Sequence, residues 1–253
     1  MLPDYPTPQL SVQLRQLWKV SFGDDDVFLD HFFSTGFSPD RCRCVVSEGK
    51  LLAALYWFDG EYEGNTYAYL YAVATDPDFR RRGIIRYLME DTRQVLENRG
   101  YAGILLVPGD DGLRQMYRTM GYEDCSTVST LISASQPVTS LVHPIDRQEY
   151  AKLRRTYLPR NGLIQEGSSL SFLETQCKFY TGPGFVMGAA PRSEELLQVP
   201  EFLGDVEEIP GVLCALGYPM GSFRVPGDSI PFAMCLQLKK DAPVPGYVGL
   251  AFD

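Results

Sequence analysis

Apolar positions in the first 33 residues follow the spacing of two helices. Apolar residues three or four positions apart share one helix face, and such a series lies on either side of the acidic triplet Asp24–Asp26. The triplet suits the start of the second helix, because negative charge is favourable beside unpaired backbone N–H groups. We therefore predict two short helices. The first series is Leu10, Leu14, Leu17 and Trp18, and the second is Val27, Phe28, Phe32 and Phe33.

After residue 40 the pattern changes to strands and then alternates between strands and helices. Pro77 ends the apolar run that precedes it, because proline has no N–H to donate to a sheet. Gly100 is typical of the end of a helix. Strands joined through helices in this order predict an α/β layer with a crossover connection. The predicted strands are Cys42–Ser47, Leu51–Phe58, Thr66–Thr75, Gly103–Val107 and Val128–Ser133, and the predicted helices are Gly83–Arg99 and Leu113–Met120.

The length of the chain, 253 residues, suits two domains of ordinary size. The stretch 133–140 is small and polar and contains Pro137, which is typical of a linker. We therefore expect one domain over residues 1–135 and a second over residues 141–253. Beyond the linker the pattern predicts a helix over Arg147–Tyr157 and strands over Phe185–Ala190, Phe232–Leu238 and Tyr247–Phe252.

Composition and charge exclude several classes of function. The net charge of -9 and pI near 4.8 disfavour nucleic acid as a partner, and an acidic protein can attract cationic small molecules. No apolar run reaches the ~20 residues that cross a bilayer, and the start lacks a signal-peptide pattern. We therefore expect a cytoplasmic protein without a membrane partner. Two histidines and six scattered cysteines do not form a metal-ligand pattern, so no metal is expected.

Four arginines within seven residues distinguish one segment of this acidic chain: Arg80, Arg81, Arg82 and Arg86. They lie in the connection between the predicted strand that ends at Thr75 and the predicted helix that begins near Gly83, or in the first turn of that helix. A helix start offers unpaired N–H groups and a partial positive charge, and glycine lets an anion approach the backbone closely. The segment therefore predicts a phosphate-binding loop.

The order of these elements resembles the GNAT superfamily of acyl-CoA N-acyltransferases over roughly residues 40 to 135. The signature R-x-x-G-x-G/A of that superfamily is similar to the segment from Arg80 to Ile85, although Ile85 stands where the second small residue is usual. The triple arginine followed by Gly83 resembles the "enhanced intracellular survival" aminoglycoside acetyltransferases. The resemblance implies a GNAT fold of α/β (α+β) class and an acetyl-CoA-dependent N-acetyltransferase. Acetyl-CoA would be its cosubstrate, and no metal would be required.

The resemblance also implies roles for particular residues. Backbone groups of Val73, Ala74 and Thr75 would pair with the pantetheine arm of the coenzyme as an added strand would. Tyr117 would protonate the departing thiolate, although its place on an apolar helix face also fits ordinary packing. Arg80 begins the signature. N–H groups of Arg81, Arg82, Gly83, Ile84, Ile85 and Arg86 would hold the diphosphate.

The acceptor and the general base stay open at this stage. The acceptor would be an amine, either a small molecule such as a polyamine, aminoglycoside or amino acid, or a protein lysine. The proton of the amine could pass to a water chain or to one of four carboxylates. A non-catalytic acyl-CoA binding or sensing module is the alternative function, since Ile85 could narrow the loop. The four carboxylates are Glu61, Glu63, Asp110 and Asp111.

The second half of the chain contains a short echo of the first. Leu213–Tyr218 is similar to Tyr117–Tyr122, with Leu213 where Tyr117 stands. We therefore expect a second, smaller GNAT-like C-terminal domain that lacks the arginine loop and the tyrosine acid. The oligomeric state is not indicated by the sequence.

Overall fold

The computed structural model describes residues 2–138 and 140–252. Contacts divide the chain into two compact units, and the chain passes between them more than once. The first unit lies within Met1–Glu123 and Cys235–Val244, and the second lies within Asp124–Met234 and Pro245–Asp253. In the described part of the chain, no helix combines the length and the apolar character needed to cross a membrane. The same residues contain no group of histidine, cysteine and acidic side chains that could hold a metal ion.

Helices occur in both units. Those predicted from the spacing of the first 33 residues, from the arginine segment and from Arg147–Tyr157 are all confirmed to within a few residues. The α-helices of the described residues are α1 (Ser11–Phe22), α2 (Asp26–His31), α3 (Ile84–Asn98), α4 (Asp111–Arg118), α5 (Arg147–Tyr157), α6 (Ser168–Gln176) and α7 (Ile209–Leu216).

The strands of the described residues form two sheets. They are β1 (Pro3–Asp4), β2 (Cys42–Ser47), β3 (Lys50–Tyr62), β4 (Asn65–Thr75), β5 (Gly103–Leu106), β6 (Glu123–Asp124), β7 (Thr127–Ala134), β8 (His143–Ile145), β9 (Ile164–Gln165), β10 (Lys178–Gly182), β11 (Phe185–Pro191), β12 (Leu196–Gly204), β13 (Met220–Pro226), β14 (Ile230–Pro231) and β15 (Met234–Gln237).

The first sheet has the order β1-β2-β3-β4-β5-β15-β6. Strands β2, β3 and β4 are antiparallel neighbours, and β5 is parallel to β4 after the crossover through α3. The hairpin between β3 and β4 is tighter than the gap between the predicted strands Leu51–Phe58 and Thr66–Thr75 suggested, because Tyr62 already pairs with Asn65. The predicted α/β layer with its crossover is therefore present in the first unit.

An aromatic cluster holds α1 against the first sheet. The ring of Trp18, whose residue is only 2% exposed, lies 4.5 Å from the ring of Phe32 after α2. It also lies 5.3 Å from Tyr56 on β3 and 5.5 Å from Tyr71 on β4. Such tilted and edge-on contacts between rings favour a defined geometry as well as burial. The end of α1 is thereby fixed next to the end of β4.

The second sheet has the order β14-β7-β13-β12-β11-β10-β8. Apart from β9, the second unit repeats the chain order of the first. The sequence β8-α5-α6-β10-β11-β12-α7-β13 corresponds to β1-α1-α2-β2-β3-β4-α3-β5, and β12 and β13 are parallel as β4 and β5 are. The expected second unit of similar topology is therefore present.

The sequence similarity between Tyr117–Tyr122 and Leu213–Tyr218 does not mark corresponding helices. By order and pairing, α7 stands where α3 stands, between two parallel strands, whereas Tyr117 belongs to α4. The echo has a local cause, because both helices end in the same cap. The N–H of Tyr122 reaches the carbonyl of Tyr117, the N–H of Tyr218 reaches that of Leu213, and the glycine before each aromatic residue is left-handed.

The structure divides the chain at a different place from the linker expected over 133–140. The preceding strand β7 pairs with β13 in the second sheet, and the N–H groups of Ser135 and Gln136 bond to Pro219 and Pro210 in the same unit. Thr139, within the expected linker, lies outside the described residues. The strand predicted over Tyr247–Phe252 is wrong, because this segment makes only an isolated bridge at Tyr247.

A buried ion pair lies inside the second unit. Arg154 of α5 and Glu201 of β12 form two hydrogen bonds of 2.7 and 2.9 Å, and their side chains are only 2% and 1% exposed. The hydroxyl of Tyr150 donates to the same carboxylate at 2.8 Å. Buried charges are tolerated when they are paired and hydrogen-bonded in this way.

Candidate functional site

The candidate site begins where β4 separates from β5. Hydrogen-bonded pairing between these parallel strands covers only Tyr67–Tyr69. Further along, β4 bonds to β3 on one edge, and no strand of the described residues bonds to its other edge over Val73–Thr75. An unpaired strand edge presents backbone donors and acceptors to any extended partner. This edge can therefore accept a strand-like ligand.

A β-bulge shapes this part of β4. Ala54 of β3 faces Ala74, and Tyr56 faces Tyr71, so Ala72 and Val73 together stand opposite one residue of β3. Ala72 has φ of 50°, in the left-handed region that alanine seldom occupies. Bulges of this kind bend a strand and redirect its backbone groups, and they are common beside functional sites.

The arginine segment forms a compact loop between β4 and α3. The carboxylate of Asp76 accepts a hydrogen bond from the N–H of Asp78 and begins a short 3-10 turn. Arg81 and Gly83 then adopt left-handed φ values of 61° and 77°, and α3 begins directly afterwards. Left-handed residues beside a helix start turn successive N–H groups toward one point, which is an anion-binding geometry.

The side chains of the four arginines make different contacts, which could not be distinguished from the sequence. Arg80 donates to the carbonyl of Thr75 at 3.2 Å, and Arg82 donates to that of Asp78 at 3.0 Å while its guanidinium lies over the ring of Phe79. Arg86 donates to Thr119, which follows α4. The exposed guanidinium of Arg81 has no hydrogen-bond partner among the described residues. Arg80 and Arg82 therefore brace the loop, Arg86 links the start of α3 to the end of α4, and Arg81 stays available.

Tyr117 lies on α4, opposite the loop. The carboxylate of Asp110 caps this helix by accepting a hydrogen bond from the N–H of Leu113 at 2.7 Å. Tyr117 is 6% exposed, and its ring lies 5.7 Å from that of Tyr122. Burial, with a smaller contribution from the charge of Asp110, raises the pKa of Tyr117 to about 12. The phenol therefore keeps its proton at neutral and mildly alkaline pH.

A single open cavity of about 700 Å³ joins these parts within the first unit. Of the sequence-predicted site residues, only Arg82 is absent from its lining, because its side chain turns back onto the loop. Among the four carboxylates considered as bases, Asp110 lines the cavity and the other three do not. The predicted residues that line it are Val73, Ala74, Thr75, Arg80, Arg81, Gly83, Ile84, Ile85, Arg86 and Tyr117.

The sequence did not predict that the end of α1 contributes to the wall of this cavity. Ser21 and Phe22, the last two residues of that helix, line the same cavity, as do Met116 and Met120. Phe22 remains 46% exposed and meets the ring of Trp18 edge-on. The signal available in the sequence was weak: Ser21 continues the spacing of Leu14, Leu17 and Trp18 but is polar.

Comparisons with protein-family models, curated proteins and solved structures show what this chain is similar to. Residues 6–125 match the family model described as acetyltransferase (GNAT) domain. No curated protein matches the chain. The chain is similar to solved structures of a GCN5-related N-acetyltransferase from Kribbella flavida (15% identity, 93% of this chain and 70% of that one, TM-score 0.71). It is also similar to Eis1 from Mycobacterium abscessus (12% identity, 94% and 74%, TM-score 0.68). A tandem GNAT protein from the clavulanic acid biosynthesis pathway matches at 13% identity over 95% and 99% of the chains, with TM-score 0.57.

At these identities the solved structures show the fold alone. The predicted GNAT fold with a second GNAT-like domain is confirmed, since the similarity to the tandem protein extends over both units. The resemblance to the "enhanced intracellular survival" proteins has a counterpart in the shared fold of Eis1. Residues 6–125 therefore match the acetyltransferase (GNAT) domain family, and the solved structures show that the chain has the GNAT fold.

Proposed function

We propose that this protein is an N-acetyltransferase that moves an acetyl group directly from acetyl-CoA to an amine. The amine nitrogen attacks the thioester carbonyl carbon, a C–N bond forms, the C–S bond breaks, and the sulfur leaves with the bonding electrons. The observation that carries the proposal is one cavity that joins an unpaired strand edge, an arginine-glycine loop at a helix start and a protonated tyrosine.

Two parts of the coenzyme suit two parts of the lining of this cavity. Pantetheine is an extended arm with two amides, which match the backbone groups that Val73, Ala74 and Thr75 present on the free edge of β4. The diphosphate suits the N–H groups from Arg81 to Arg86, where the helix dipole of α3 favours negative charge. The guanidinium of Arg81 adds a charged donor.

Tyr117 is the proposed general acid. A thiol has a reference pKa of about 8.5, so a phenol with a pKa raised to about 12 still carries the proton when the thiolate departs. Proton transfer from a positioned group commonly contributes roughly 10²–10⁴ in rate. Tyr117 is also a packed residue next to Tyr122, so its catalytic role must be tested apart from its packing role.

The acceptor amine must lose a proton before or during attack, since a primary amine has a reference pKa near 10.4. Asp110 is the carboxylate that the structure brings to the cavity, and a water chain is the alternative. The carboxylate of Asp110 already accepts a hydrogen bond from the N–H of Leu113, so a role as base would use a remaining lone pair. The acceptor stays a small-molecule amine or a protein lysine, and the expected cytoplasmic location stays a prediction.

The test is thiol release from acetyl-CoA over a panel of polyamines, aminoglycosides, amino acids and lysine peptides, with calorimetry for coenzyme binding. Tyr117→Phe should keep its affinity for acetyl-CoA and lose at least tenfold in kcat. Tyr87→Phe, at an exposed tyrosine of α3, is the matched control and should turn over normally. Unchanged kcat in Tyr117→Phe would reject the acid role.

A sensing module remains the second candidate because of one observation. Ile85, with its bulky branched side chain, lines the cavity where the superfamily signature has a small residue. Binding of acetyl-CoA without thiol release on any acceptor of the panel would favour this function over catalysis. Failure to bind the coenzyme at millimolar concentration would reject both.

A further inference from the structure

Ser21 places a hydroxyl on the inner face of α1. Leu14, Leu17 and Trp18 of this helix are buried, and Ser21 follows them at the spacing that keeps a residue on the same face. Its Oγ is shielded from solvent and has no hydrogen-bond partner among the described residues. Buried hydroxyls are nearly always hydrogen-bonded, so an exception requires an explanation.

Two helical hydroxyls of the described residues bond to their own helix, whereas the buried hydroxyl of Ser169 in α6 lacks a partner as that of Ser21 does. Thr92 donates to the carbonyl of Leu88 at 2.8 Å, and Ser171 donates to that of Gly167 at 3.0 Å, four residues earlier in each case. Ser21 makes no such bond to Leu17. Its hydroxyl is therefore left available to another partner.

The helix end that carries Ser21 is firmly held. Gly23 caps α1 in the left-handed conformation and donates its N–H to the carbonyl of Lys19. The indole of Trp18 donates to the carboxylate of Asp24 at 2.7 Å. Because both bonds flank Ser21, its position does not depend on a frayed helix terminus.

The cavity wall gives Ser21 its neighbours. Ser21 and Phe22 line the same cavity as Val73, Ala74 and Thr75, the residues of the free strand edge. A ligand arm lying along that edge would run past the end of α1. Ser21 and the half-exposed ring of Phe22 thus contribute a polar and an apolar side chain to the lining of one cavity. Rotation about the Cα–Cβ bond of Ser21 would turn its shielded Oγ toward a ligand in that cavity.

We propose that the Ser21 hydroxyl donates a hydrogen bond to an amide carbonyl of the pantetheine arm of acyl-CoA, with Phe22 covering the neighbouring apolar part of the arm. The assignment rests on the proposed function of this cavity and adds a side-chain contact from α1 to the backbone contacts of β4. A hydroxyl that forms its bond only when the coenzyme is bound contributes its full value to coenzyme affinity.

The experiment compares two probes in calorimetry: coenzyme A, and 3′-phospho-ADP, which is the same nucleotide without the pantetheine arm. In Ser21→Ala, affinity for coenzyme A should fall about three- to tenfold, the loss expected for one neutral hydrogen bond. Affinity for 3′-phospho-ADP should not change. Ser11→Ala, at an exposed serine of the same helix, should leave both affinities unchanged. Thermal unfolding of each variant checks that the fold is retained.

Three results would overturn the assignment. The hydroxyl has no role if Ser21→Ala binds coenzyme A as tightly as the unaltered protein. It acts through the fold if both probes lose affinity equally. It serves the acceptor instead if only the acceptor KM rises. If the unaltered protein binds neither probe, the proposed function itself fails, and this result is distinct from the other three.

Discussion

The guanidinium of Arg81 is expected to carry more of the coenzyme affinity than its two neighbours do. Arg80 and Arg82 already donate hydrogen bonds to the carbonyls of Thr75 and Asp78. Arg81 is exposed and has no hydrogen-bond partner in the described part of the chain. Replacing Arg81 should therefore weaken binding without loosening the loop. The same change at Arg82 should loosen the loop more and weaken binding less.

The magnitude follows from the kind of contact that is lost. A hydrogen bond between a charged donor and a phosphate contributes roughly 1.5–3 kcal/mol, and solvent exposure favours the lower half of that range. A loss of about 1.5–2 kcal/mol corresponds to roughly 10- to 30-fold weaker binding of coenzyme A in Arg81→Ala. The loss should shrink as salt is raised, because the Debye length falls from about 8 Å at 0.15 M to about 3 Å at 1 M.

A second substitution separates the charge from the backbone. Arg81 has φ of 61°, and left-handed backbone costs about 1–2 kcal/mol for a residue with a side chain. Arg81→Gly removes this cost and adds glycine's entropy cost of roughly 0.5–1 kcal/mol, so the free energy of unfolding should stay unchanged or rise by up to about 1.5 kcal/mol. Affinity for coenzyme A should fall as far as in Arg81→Ala, because both variants lose the guanidinium.

Calorimetry at several salt concentrations and chemical denaturation provide both readouts, with Arg82→Ala as the control in the same loop. The reasoning is refuted if the Arg81 variants bind coenzyme A like the unaltered protein. It is also refuted if Arg82→Ala loses as much affinity as Arg81→Ala, since the loop would then act only through its net charge.

Four further predictions concern the acid, the second unit, the domain boundary and the loop glycine. Because the pKa of Tyr117 is raised to about 12, kcat should show no decline from loss of this acid up to about pH 10, and a falling limb near pH 8–9 in the pH–rate profile would contradict the assignment. Glu201→Gln leaves Arg154 buried beside a neutral partner, so denaturation should show about 3–5 kcal/mol less stability. A chain ending at residue 135 lacks β15 of the first sheet and should fail to give a cooperative unfolding transition, whereas a well-folded fragment would contradict the observed division of the chain. Gly83→Ala should cost about 1 kcal/mol or slightly more in the free energy of unfolding, from its φ of 77° alone, because an added Cβ would meet no atom within 4 Å.

The sequence by itself determined the local elements and the chemistry of the loop. Helix α3 and strands β2 to β5 follow from apolar periodicity and from glycine and proline positions, which act over a few residues. The cluster of four arginines before a helix start predicted an anion site for the same reason. These inferences needed only neighbours in the chain.

Tertiary structure decided which strands join which sheet. Strand β7 directly follows the first unit in the chain but pairs with β13 in the second, and β15 returns from the far end of the chain to the first sheet. Each strand pattern is compatible with many partners, so its pairing depends on residues far away in the chain, 86 to 98 positions away for β7 and β13, which no local pattern encodes.

The same distinction applies within the candidate site. Three features depend on where side chains and strands meet in space. They are the different contacts of the arginines, the unpaired edge of β4, and the cavity that Ser21 shares with that edge. A serine at an inward-facing helix position reads as an ordinary interruption of an apolar stripe. Only packing shows that its hydroxyl is shielded from water and that the residue lines the cavity, because burial and hydrogen bonding are properties of the assembled fold.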